Sequence, residues 1–89
     1  MPELSRFFGI VIAMFWEKNT EHHSPHFHAI YNEFDCKYEL PSLRILDGYL
    51  PGRANNMVIE WAKLHMDELL ANWDRAVQNK SLNKIKPLK

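Results

Sequence analysis

Four of the five histidines, His22, His23, His26 and His28, fall within seven consecutive positions. Residues spaced i and i+2 on a strand project from one face roughly 7 Å apart, so His26 and His28 can bring two imidazoles to one ion. A third nitrogen ligand from the preceding loop, His22 or His23, with Glu21 nearby, would suit zinc and leave a position for water. The pattern is permissive, because no His-Glu-x-x-His element accompanies it. The same imidazoles support metal-free chemistry. One neutral and one protonated ring can act as general base and general acid on the ribose 2′-OH and leaving group of RNA, with Lys18, Arg53 or a tail lysine steadying phosphate. His65 stands apart in sequence, at the margin of a helical apolar stripe beside Ala62 and Leu69, and approaches His26 and His28 if that helix covers their face. His26, His28 and His65 are therefore the candidate catalytic groups, and His22, His26 and His28 the candidate zinc ligands. Against both readings stands a plainer one, a histidine face that is solvated or hydrogen-bonded into the core.

Other chemistries find less support. Cys36 is the only cysteine, which excludes an intrachain disulfide and a cysteine-based zinc knuckle and suits a reducing cytosol. On an apolar strand face it reads as a small buried hydrophobe. The chain has no glycine-rich phosphate loop and no Gly-x-Ser-x-Gly element. Eleven basic residues balance 11 acidic ones, but unevenly: Lys80, Lys84, Lys86 and Lys89 follow one another with no acid between them. A body with an acidic excess and a basic tail is a poor generic binder of nucleic acid, though the lysines can meet phosphate or an acidic partner. The longest apolar run, Phe7 to Trp16, is about half the roughly 20 residues a membrane-spanning helix needs.

These groups must be positioned by one core, since 89 residues make one domain. Phe7 to Trp16 is apolar on both alternating faces and predicts a strand covered on both sides, with Gly9 at a bulge or close approach. A polar loop, Glu17 to Pro25, follows. His26–Tyr31 and Phe34–Leu40 flank Asn32 and Glu33 and predict a β-hairpin, with Phe27, Ala29 and Tyr31 on one face and His26, His28 and Ile30 on the other. In its second strand Cys36, Tyr38 and Leu40 face inward, and Asp35, Lys37 and Glu39 face water. Leu43–Leu46 predicts a short fourth strand, stopped by Asp47 and Gly48. Pro51 opens a helix that runs without Pro or Gly from Arg53 to Gln78. Its apolar stripe is Val58, Ile59, Ala62, Met66, Leu69, Leu70, Trp73 and Val77, and Asn79 is its C-terminal cap. Strand aromatics that could stack bases fall on faces the core needs, whereas either sheet edge can accept a strand or helix from a partner. Leu82, Ile85 and Leu88 among the tail lysines predict that part of the tail docks.

Read in order, Ser5-Arg6-Phe7-Phe8-Gly9-Ile10-Val11-Ile12, Pro25-His26-Phe27-His28, Leu50-Pro51 with Arg53-Ala54, Glu60-Trp61 with Leu64-His65, Glu68-Leu69 with Asn72-Trp73, and Leu82, Lys84, Ile85, Pro87, Leu88 form an ordered set of motifs spanning nearly the whole chain. This set resembles the bacterial domain-of-unknown-function family 4160 (DUF4160). The resemblance implies a small cytosolic prokaryotic protein whose family members look like partners of another small domain in two-gene arrangements resembling toxin–antitoxin pairs. It assigns no catalytic residue. The family's histidine shortly before Pro-His-Phe-His falls on His22. Asn32 stands where a glycine is usual in the hairpin, and Ser81 where a proline usually precedes Leu82.

The expectation is an α+β domain over residues 1–79, a four-stranded antiparallel meander sheet packed by one long C-terminal helix, with a basic tail over 80–89. Its expected role is that of an interaction or regulatory module bound to a protein from a neighbouring gene, without a membrane segment. The rival expectation is a histidine-dependent ribonuclease or zinc-assisted hydrolase.

Overall fold

In the computed structural model, residues 2–16 and 24–88 are described. The chain is α+β, with five strands followed by two helices: β1 (Glu3–Phe7), β2 (Ile10–Ala13), β3 (His26–Tyr31), β4 (Phe34–Glu39), β5 (Ile45–Gly48), α1 (Gly52–Leu64) and α2 (Met66–Val77). The strands form one antiparallel meander in the order β1-β2-β3-β4-β5.

The expected long first strand is a hairpin. Phe7 pairs with Ile10 across a two-residue turn in which Phe8 and Gly9 both have positive φ, 50° and 80°. An aromatic residue seldom occupies the left-handed region, so Phe-Gly lacks the Asn-Gly signature of such turns. The uninterrupted apolar run therefore concealed a fifth strand. The β3–β4 hairpin forms as expected, with Tyr31 opposite Phe34 and Asn32 at φ 53°. The last strand is displaced relative to expectation. Leu43 takes a turn conformation at φ 63°, and the strand runs through Asp47 and Gly48, with Lys37 opposite Asp47 and Cys36 opposite Gly48. Gly48 has φ 87°, and a Cβ there would collide with the Asp35 carbonyl oxygen. Only glycine lets β5 lie this close to β4.

The single long helix is two. The chain breaks at His65 (φ −120°, ψ 26°), with no Pro or Gly to mark the place. Trp61 and Trp73 would lie about 120° apart around one straight helix; the break turns both toward the core, where they are 0% and 6% exposed. Trp61, outside the expected stripe, meets Phe7 and Phe27 at 5.5 and 6.2 Å between ring centroids. Val77, inside that stripe, is 45% exposed. Asn79 closes α2 in the left-handed conformation, φ 59°. Its N–H donates to Ala76 O and that of Lys80 to Arg75 O, the paired bonds of a Schellman motif.

Residues 80–88 then cross the body in a docked path. Buried Asn72 donates to Asn83 O (2.9 Å) and accepts from Asn83 N–H (2.8 Å). Ile85 is buried and donates its N–H to Leu4 O of β1 (2.8 Å), and Trp61 Nε1 donates to Lys86 O (2.8 Å). The apolar residues among the lysines anchor this segment, as their spacing predicted.

Candidate functional site

Strand alternation brings His26 and His28 together: their rings meet edge to face at 5.5 Å. His26 sits at the start of β3, where α2 reaches it through Trp73 (5.0 Å between rings). Its Nδ1 lies 2.8 Å from Ser24 O. A carbonyl can only accept, so the proton is on Nδ1. His28 stacks flat on Phe15 (4.6 Å, 10°), lies opposite Ala13 and Lys37, and has Nδ1 3.5 Å from Asp35 Oδ1. Both residues are buried, 2% and 8% exposed, so a substrate would have to displace neighbours to reach either ring.

His65 is held elsewhere. Its ring packs on Trp61 (5.5 Å), and Nδ1 lies 2.6 Å from Glu68 Oε1, one helical turn on. A carboxylate at Nδ1 orients an imidazole and leaves Nε2 as the base or ligand nitrogen. The concavity beside it, about 370 Å³, is lined by Lys63 to Glu68 alone among the described residues. The ring contacts of His65 and those of His26 run to different tryptophans, Trp61 and Trp73. His22, His23, Glu21 and Lys18 lie outside the described residues. Among the described residues no three histidine, cysteine or carboxylate side chains converge as a metal ligand set.

Cys36 is fully buried. Burial pushes its thiol up, Tyr38 opposes this by hydrogen bonding, and Asp35 and Asp47 add to the rise. The thiolate, which would be the nucleophile, is thus disfavoured. Burial likewise drives the Tyr38 phenol above its ordinary range; its hydroxyl donates to Asn55 Oδ1 of α1 (2.6 Å). Tyr38 thereby ties the sheet to the helix.

Two surface features add to these side chains, a sheet edge of the kind the sequence offers to a partner and a cleft that the sequence did not mark. One is β5, the outer strand of the sheet, with Ile45 46% exposed and Tyr49, just beyond it, 61% exposed. The other is a cleft of about 590 Å³ between the segment leaving β2 and the end of α2, walled by residues including Met14, Phe15, Trp16, Val77, Lys80 and Leu82. Val77 carried a signal in retrospect, as an apolar residue at the far end of a stripe too long for the sheet beneath it. No helix among the described residues is long and apolar enough to cross a membrane.

No curated protein and no solved structure matches the chain. The family model described as domain of unknown function (DUF4160) matches residues 9–74, which takes in β2 through most of α2 and with them His26, His28 and His65. The chain therefore belongs to the DUF4160 family.

Proposed function

We propose that this chain is a non-enzymatic protein-interaction module of a two-gene system resembling toxin–antitoxin pairs, working in the cytosol and receiving its partner at the free edge of β5. The observation that carries this reading is an asymmetry between the sheet edges. The chain's own C-terminal segment lies against β1 through the Ile85–Leu4 hydrogen bond, whereas β5 ends the sheet with Ile45 exposed. An edge strand offers a row of backbone donors and acceptors to an added strand. The experiment is co-expression with the neighbouring gene's product, followed by amide exchange on the complex. Protection concentrated in Ile45–Gly48, and loss of the complex in Ile45→Lys with unchanged melting, is the expected outcome. A complex that survives Ile45→Lys and leaves β5 exchange unchanged overturns it.

One observation favours a second reading. The 5.5 Å approach of His26 and His28 is close enough for paired acid–base work on RNA or, with His22, for holding zinc. Their burial weighs against it, because general acid–base groups must come within hydrogen-bond reach of the reacting atoms. RNA cleavage by the pure protein that disappears in His26→Ala with the fold intact, or near-stoichiometric zinc, would replace the interaction reading with this one.

A further inference from the structure

The cleft beside α2 is followed along the chain by a lysine-rich segment. The cleft combines apolar side chains, among them Phe15, Trp16, Val77 and Leu82, with a comparable extent of polar surface, and Lys80 is its only charged lining residue among those described. Its volume falls within the usual range of binding sites. Lys84 and Lys86 continue from it, exposed, on a segment whose backbone is held at four successive places: Lys80 N–H on Arg75 O, Asn83 on Asn72, Ile85 N–H on Leu4 O, and Lys86 O on Trp61 Nε1. These lysines are presented from a fixed backbone, so a partner meets them with little ordering still to be done. Glu3, the acid near Lys84, is already engaged: Arg6, by hydrogen bond and charge, and then Lys84 hold its carboxyl below the ordinary range.

The geometry points to an acidic protein segment carrying one large apolar anchor side chain as the occupant of this surface, the anchor in the cleft and its carboxylates along Lys80, Lys84 and Lys86. A small amphipathic molecule would use the cleft and Lys80 only. Lys80 to Lys86 is six residues, at most about 22 Å of extended backbone, so a chain segment rather than a small molecule is needed to meet all three lysines. This surface is separate from the β5 edge and stands whether or not that edge receives a partner.

The probe is the blocked peptide acetyl-Asp-Glu-Phe-Glu-Asp-Glu-amide, titrated into the full chain and followed by tryptophan fluorescence in Trp61→Phe with Trp73→Phe, which leaves Trp16 as the emitter, and by the methyl resonances of Val77 and Leu82 in the unaltered chain. Binding is expected to shift both methyl sets and to weaken as salt is raised. It should fall about tenfold or more in Lys80→Glu, fall again in Lys84→Glu with Lys86→Glu, and return when that triple variant meets a peptide with lysines in place of the acids. Phe→Ala in the peptide, or Val77→Glu in the protein, should abolish the methyl shifts while the melting temperature holds. Equal affinity for acidic and basic peptides, an unperturbed cleft, or a short single-stranded RNA that displaces the peptide from the same lysines overturns the proposal.

Discussion

The two edges of the sheet are built alike and finished differently. Each outer strand is short and carries a register irregularity, between Glu3 and Ser5 in β1 and opposite Lys37 and Tyr38 at β5. A meander leaves both edges open by topology, and open edges recruit other chains. At β1 the last residues of the chain supply the missing neighbour through one backbone hydrogen bond, with Asn72, Trp61 and buried Ile85 holding them there. At β5 the chain supplies no such cover among the described residues. An edge that a protein closes with its own tail is managed as a liability; an edge left with an exposed isoleucine is available for use.

The strongest way to break the comparison is to remove the β5 edge. In Gly48→Ala the left-handed backbone is strained and the new methyl meets the Asp35 carbonyl, a cost of more than about 3 kcal/mol when strain and displacement combine. Urea unfolding should report it. Amide exchange should show early loss of the Glu39 N–H to Arg44 O and Tyr49 N–H to Asp35 O bonds that attach β5 to β4, while β1 keeps its protection. Ile85→Ala attacks the other edge. Removing a buried side chain near the end of the chain should lower stability by about 2–3 kcal/mol, and trypsin should then cut after Lys80 and Lys84 well before the body unfolds.

Asn72→Ala is smaller and more selective. It deletes both side-chain bonds to Asn83 and should cost about 1–2 kcal/mol. The Asn83 and Ile85 amides should exchange faster, and those of β5 should not change. The smallest effect is acid sensitivity, which both edges share. The Glu3 carboxyl is lowered by its hydrogen bond and charge contact with Arg6, and that of Glu39 by the Ser42 hydroxyl and then Arg44. A carboxylate depressed in the folded state contributes stability above its unfolded value and loses it as pH falls through the folded value. Acidification should therefore loosen both edges. Glu3→Gln should remove that response at β1 only, and Glu39→Gln at the Glu39–Arg44 connection only, as read by exchange across an acid pH series.

The parts that could be read directly from residue order were those set by near neighbours. The β3–β4 hairpin follows from alternation around Asn32, with Cys36 and Tyr38 inward and Asp35 outward as expected. The Phe8–Gly9 turn escaped because neither the apolar run nor its period marks an aromatic residue entering the left-handed region. The break at His65 escaped because good helix formers surround it and the reason for bending is the need to bury Trp61 and Trp73 on the same sheet. The pairing of His26 with His28 was legible from their i, i+2 spacing. Their burial was not, because it depends on Phe15 and Trp73, which come from elsewhere in the chain.

Residue order by itself determined the class of the domain, the central hairpin, the helical region and the docking of the tail, since spacing of apolar groups within a few residues suffices to favour each. Only the tertiary structure decided which edge the tail closes, which edge has no such cover among the described residues, that His65 packs on Trp61 rather than beside the strand histidines, and that a cleft opens next to Lys80. Those outcomes depend on contacts between segments far apart in the chain, whose burial energies are settled together when the core packs.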